Sequence, residues 1–157
     1  MVQIVRAEEK HVTEIGNLWW EFMKYHGDID PVWAGVEGSE HVFIDEFLHP
    51  AMNDETSLVL LAIENGQGVG YSYSFISTPV KISKRDRYGT IHDMFISVKS
   101  RHSGIGEQMV KEIYGWFRSH NTHRVELQIA RNNKIGESFW TKQGFSEIGK
   151  TVYRMLE

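Results

Sequence analysis

Cysteine is absent from the 157 residues, which excludes disulfides, thiolate metal sites and a cysteine nucleophile together. That absence fits a reducing compartment. A long apolar run is also missing, and nothing approaches the roughly 20 residues of a membrane-spanning helix. Positive charge is scarce, with 17 Lys and Arg against 21 Asp and Glu and a net charge of -4. Broad electrostatic binding to nucleic acid is therefore not expected. The basic cluster KISKRDR at 81–87 is interrupted by Asp86 and reads as a solvated loop. The opening MVQIVRAEEK has no apolar segment of signal-peptide length. The expectation is a cytoplasmic protein without a membrane partner. No internal repeat, low-complexity stretch or linker interrupts the chain, so one domain over 1–157 is expected.

What is present is a regular succession of short elements. VQIVRA (2–7) reads as a strand, and 9–26 as an amphipathic helix with Val12, Ile15, Trp19, Phe22 and Met23 near helical spacing. A loop is expected at 27–38. A second helix is expected at 39–50, stopping before Pro50. Residues 57–77 form two strands around Asn65-Gly66, a hairpin signal, and 90–98 adds a third strand. Then come a helix at 106–120, a strand at 123–130, a helix at 133–143 ending before Gly144, and a strand at 146–157. The order β-αα-βββ-α-β-α-β, with one crossover inside a hairpin-linked sheet, points to an α/β (α+β) fold with helices on both faces.

The stretch RHSGIGEQMV (101–110) joins a strand to a helix and places Gly104 and Gly106 where the helix begins. Glycine in a helix costs about 1 kcal/mol against alanine. Two in one turn are explained by an anion approaching backbone amides at the positive end of the helix dipole. Relief of backbone strain in the turn explains them equally well. A P-loop is excluded because no Lys-Ser or Lys-Thr pair follows the glycines, and a dinucleotide fingerprint lacks its third glycine near Met109.

R-x-x-G-x-G (Arg101, Gly104, Gly106) after Met94, Phe95 and Ile96 resembles motif A of the GCN5-related N-acetyltransferase (GNAT) family. Downstream, Asn133, Gly136, Trp140, Gly144 and Phe145 resemble its motif B, with Trp140 where a tyrosine usually stands. The resemblance covers essentially the whole chain. It implies a GNAT-type mixed, mostly antiparallel central sheet and an acetyl-CoA-dependent N-acetyltransferase. Acetyl-CoA would lie between strands 90–98 and 123–130, with its pyrophosphate on Arg101, His102, Ser103, Gly104, Ile105 and Gly106. The pantetheine would pair along Phe95, Ile96 and Ser97. Asn133 and Trp140 would complete the cofactor site, although Asn133 also reads simply as a helix N-cap. No metal is implied.

The implied reaction is direct attack of a primary amine on the thioester. An alkyl ammonium of pKa near 10.4 must first lose a proton, and the oxygen that gains charge needs a donor. The backbone N–H near Ile96 is that donor by resemblance. Gln128 stands where some family members carry a glutamate base. His92 and Asp93 remain, and strict strand alternation would send them to opposite faces. Asp93 is taken as the base, and His92 as a hydrogen-bonded core histidine. Tyr153 is taken as the acid, with Tyr88, Tyr73 or solvent as substitutes. Trp20, Tyr25, His26, Asp30 and Tyr73 are expected to face the acceptor, since aromatic faces and carboxylates suit a cationic amine. Packing for the aromatics and turn formation for the aspartates are the alternative roles. A small-molecule amine is the expected acceptor. Acetylation of protein N-termini or lysines, and a catalytically weak CoA-binding regulator, are the alternatives. The terminal strand at 146–157 carries Val152 and Met155 among polar residues, an edge that invites a homodimer.

Overall fold

The computed structural model describes residues 1–156. VQIVR forms β1 (Val2–Arg6), and a 3-10 turn at Glu9–His11 leads into α1 (Val12–Ile29). Val12, Ile15 and Leu18 recur at helical spacing and are buried. The helix runs past the expected end at His26 because nothing in Gly27-Asp28-Ile29 breaks it. The break comes from Pro31, which forces Asp30 before it into an extended backbone of φ -152 and ψ 119.

The sequence reads as one helix over 39–50, stopping before Pro50. In the structure the segment is α2 (Glu40–Phe43), a π turn (Ile44–Leu48) and α3 (His49–Met52). Pro50 falls in the first turn of α3, after the widened turn has broken the regular ladder. β2 (Ser57–Glu64) and β3 (Gln67–Ser77) form the hairpin around Asn65-Gly66, followed by β4 (Tyr88–Ile96). The remaining elements are α4 (Ile105–Ser119), β5 (Val125–Leu127) and α5 (Lys134–Lys142).

The sheet has the order β1-β2-β3-β4-β5, with β1 to β4 antiparallel and β5 parallel to β4. This is the expected fold class. On one face α1, α2 and the π turn bury Ile15, Leu18, Phe43 and Leu48 against Val59, Leu61, Tyr71 and Phe95. On the other, α4 and α5 bury Met109, Ile113, Phe117 and Trp140 against Leu58, Leu60, Ala62 and Ile91. β2 feeds both cores, which explains its unbroken run SLVLLA.

Two expectations change at the far edge. The strand expected over 123–130 is only three residues long, paired as Gly89↔Val125, Thr90↔Glu126 and Ile91↔Leu127. The strand expected at 146–157 is not formed over 146–156, and Glu157 lies outside the described residues. Ile148, Val152, Tyr153 and Met155 are 69%, 85%, 75% and 80% exposed. A strand needs a ladder partner and a covered face, and this segment has neither among the described residues.

Gly89 sets how closely α4 lies on this edge. A Cβ there would stand 2.5 Å from two ring atoms of Phe117, a side chain only 1% exposed. Gly89→Ala should therefore destabilise the protein by about 1–3 kcal/mol through overpacking. Gly115, exposed inside α4 with nothing within 4 Å of where a Cβ would stand, should behave oppositely. Gly115→Ala should stabilise by about 0.5–1 kcal/mol. Urea denaturation of both variants checks the opposed signs.

Candidate active site

β5 leaves β4 after Ile91, so residues 92–96 face a gap where the sheet would otherwise continue. The Ser97 N–H bonds the Val69 carbonyl of β3 at 2.8 Å. Alternation along the strand then turns the Ile96 N–H the other way, into the gap. The Ile96 carbonyl faces the same way and accepts from Arg101 Nε at 2.9 Å. The Arg101 guanidinium lies over the rings of Tyr25 (4.5 Å) and Phe95 (5.5 Å). Arg101 is thus brought to the cleft, but its side chain is anchored on β4 and α1 and not spread along 102–106.

The α4 start lies just beyond. Gly104 is the N-cap with φ +79, no side chain caps the helix, and nothing stands within 4 Å of where a Cβ would be. Ser103 bonds the Ser100 carbonyl at 2.6 Å and leaves the first-turn amides open. His102 also has positive φ and is exposed, while Ile105 is buried. Gly106 differs from the expectation. A Cβ there would meet the Phe139 ring at 3.1 Å, so the missing side chain makes room for α5.

The sequence reading of β4 breaks at His92. Across β3, Tyr73 pairs with Asp93 and Ser74 with Ile91, which leaves His92 as the extra residue of a bulge. His92 and Asp93 therefore do not point to opposite faces. His92 Nδ1 lies 2.9 Å from Asp93 Oδ1, and the Tyr71 hydroxyl donates to Asp93 Oδ2 at 3.0 Å. Asp93 is 6% exposed and Tyr71 fully buried, whereas the His92 side chain is 51% exposed. The expected core histidine is the open member of the pair, and the expected base is the enclosed one. The hydrogen bond to Asp93 holds the His92 imidazole above its ordinary pKa, outweighing its partial burial. Burial, then the Asp93 charge, pushes the Tyr71 phenol far up, so it remains a donor. The rings of Tyr73 and Phe75 flank His92 at 5.5 and 6.0 Å between centroids. Sequence reasoning missed Tyr71, Phe75 and the exposure of His92. Only the run of aromatic residues on alternate positions of β3 hinted at them.

The other expected residues divide. Tyr73 reaches the bulge. Tyr25, His26 and Asp30 gather at the end of α1. There the Tyr25 hydroxyl donates to Asn133 Oδ1 at 3.4 Å and Arg131 donates to Asp30 at 3.1 Å. Bonds from the Val32 N–H and then Arg131 hold the Asp30 carboxyl below its usual range. Trp20 is turned toward the loop at Gly35. Asn133 caps α5, accepting from the Gly136 N–H at 3.1 Å. Trp140 is 9% exposed and wedged edge-on against Phe139 and Phe145; it belongs to the core and not to the cleft surface. Tyr153 stands exposed in the terminal segment beside Arg131, not at β4. Among the described residues no group of three or more His, Cys, Asp or Glu converges to hold a metal ion.

The profile of the acetyltransferase (GNAT) family matches residues 12–145. Two Bacillus subtilis proteins named as uncharacterized N-acetyltransferases are similar to the chain. YhfO is 21% identical over 154 residues, covering 98% of this chain and 94% of its own. YobR is 28% identical over 74 residues, 47% of this chain and only 30% of YobR. Among solved structures, the aminoglycoside 6'-N-acetyltransferase AAC(6')-Ih from Acinetobacter baumannii superposes with a TM-score of 0.77. It is 18% identical and covers 100% of this chain and 99% of its own. A predicted acetyltransferase with acetyl-CoA from Clostridium acetobutylicum gives 0.79 at 17% identity, covering 99% and 96%.

The Tyr71–Asp93 bond generates a prediction independent of activity. Tyr71→Phe keeps the ring in its apolar contacts but strips a buried carboxylate oxygen of its donor. Stability should fall by about 1–3 kcal/mol, read from the shift of the urea midpoint. An unchanged midpoint would show that this bond contributes nothing.

Proposed function

The chain belongs to the acetyltransferase (GNAT) family and is an acyltransferase; we propose that it moves an acetyl group from acetyl-CoA to a primary amine of a small molecule by direct attack. The observation that carries this reading is the gap opened where β5 leaves β4 after Ile91. The gap presents a row of backbone groups that an extended pantetheine arm would pair with as an added strand. The donor set fits. Ile96, flanked by Phe95 and Ser97 whose backbone groups turn to β3, offers the β4 edge, and the turn 101–106 offers open amides beside the side-chain-free space at Gly104. We assign the Ile96 N–H to the thioester oxygen as it gains charge. A thiol of pKa about 8.5 leaves without a dedicated acid, and the exposed Tyr153 is not needed for that step.

A small acceptor is supported by α2 and α3, which cover the sheet beside the bulge. Phe43 stacks on Trp19 at 4.7 Å and packs edge-on to Tyr71 at 6.3 Å. The aromatic faces of Tyr73 and Phe75 suit a cationic amine. The aminoglycoside enzyme among the structural neighbours acts on a molecule of this kind. We also propose a homodimer, with the exposed apolar residues after α5 meeting a second copy. β5 is the sheet's last strand, and a groove beside it is lined by Tyr114, Leu127, Phe145 and Ile148. The lack of cysteine supports a cytoplasmic setting.

Three outcomes test these statements. Thiol release from acetyl-CoA should appear with at least one member of a panel of polyamines, aminoglycosides and amino acids, and be weaker with peptides. Gly104→Asn should lower CoA affinity by about tenfold or more in calorimetry. Asparagine tolerates the left-handed backbone, so the fold should survive while the open space is filled. Light scattering at micromolar concentration should give twice the 18.2 kDa chain mass.

A further inference from the structure

We propose that His92 is the general base of the transfer, held in place by Asp93 and, one bond further back, by Tyr71. In this arrangement Nε2 takes a proton from the acceptor amine directly or through one water. The inference rests on the acetyl-transfer reading and assigns the proton step within it.

Geometry carries the assignment. The bulge at His92 brings two consecutive side chains to one face, which a regular strand cannot do. It creates a chain of hydrogen bonds running outward, from the buried Tyr71 hydroxyl to Asp93 and from Asp93 to the half-exposed His92. Tyr71 donates to one carboxylate oxygen, and the other accepts from the imidazole. His92 Nδ1 must then carry the hydrogen, which fixes the tautomer and leaves the Nε2 lone pair facing outward. No protein group bonds Nε2 among the described residues. Asp93 is the poorer base, because it is enclosed and each of its oxygens already accepts a bond. It is a positioning residue, and so is Tyr71. The charged and titratable groups around the imidazole are few. They are Asp93 on β4, Tyr73 on β3, and Asp54 behind Tyr73 in the turn before β2.

The acceptor arrives as an ammonium, with Tyr73 and Phe75 offering ring faces beside His92. His92 removes one proton and frees the nitrogen lone pair. That pair forms the C–N bond to the thioester carbonyl carbon, and the C–S bond breaks with its electrons passing to sulfur. The second nitrogen proton neutralises the departing thiolate, and the imidazolium returns its proton to solvent. Because the neutral imidazole is the working form, the rate should rise as pH passes through the His92 pKa. The Asp93 bond holds that pKa above 6.5.

The test is the pH dependence of kcat/KM with two acceptors whose amine pKa values differ. A limb that belongs to His92 stays at the same pH for both acceptors. His92→Gln should lose that limb and about 100-fold or more of the neutral-pH rate, with CoA affinity unchanged. Asp93→Asn should keep the limb but move it to lower pH, since the charge that favours the imidazolium is gone. A purely structural role for Asp93 would lower the rate at every pH without moving the limb. Retention of the limb in His92→Gln, or an unmoved limb in Asp93→Asn, overturns the assignment while acetyl transfer itself stands. Failure of the unaltered protein to acetylate any amine overturns the transfer reading, and this inference with it.

Discussion

β5 grips β4 over Gly89, Thr90 and Ile91 and then departs, and the rest of the cleft depends on that short grip. Backbone amides and carbonyls away from water require partners. The groups of residues 92–96 on that side have lost a strand and gained none, apart from the Arg101 bond to the Ile96 carbonyl. An interior sheet edge left in this condition is a template for an extended ligand. The grip is placed by packing. Phe117 of α4 sits directly on Gly89, while β5 and α5 are carried away on the far side of the gap.

The second constraint is the buried carboxylate of Asp93. A charge enclosed at 6% exposure is costly unless its oxygens are satisfied. Tyr71 and His92 supply one bond each. Of these two partners only the imidazole reaches solvent, so whatever the carboxylate does chemically is expressed through it. The same bonds that make Asp93 tolerable inside also orient the exposed ring.

Much of this was legible in the residues because it is written locally. The hairpin at Asn65-Gly66, the amphipathic spacing of α1 and α4, and the glycine-bearing turn before α4 are decisions made over a few positions. Asn133 at the start of α5 could be read as a cap, and it is one. The misreadings came from non-local causes. Period-two reasoning separates His92 from Asp93, yet the register against β3 inserts a bulge that no pattern within β4 announces. Pro50 reads as a stop, but the π turn before it disposes of the missing amide. Trp140 sits in a functional motif and looks like a cofactor contact. Its size and its neighbours Phe139 and Phe145 take it into the core instead. The terminal segment alternates like a strand, but alternation alone does not pair it with the three-residue β5 at the sheet's edge.

The contacts at the end of α1 carry a consequence for how the molecule assembles. Tyr25 reaches Asn133 across 108 positions of chain, and Asp30 reaches Arg131 across 101. By contrast, β2, β3 and β4 are consecutive in both chain and sheet, and contacts between such close chain neighbours form early because little loop entropy opposes them. The first helix and the last meet across the gap, adding to the β4–β5 pairing and to the packing of Phe139 at Gly106. Neither the segment from α1 to β4 nor that from α4 to α5 contains a complete cleft, so on a ribosome the site comes into being only after α5 has emerged.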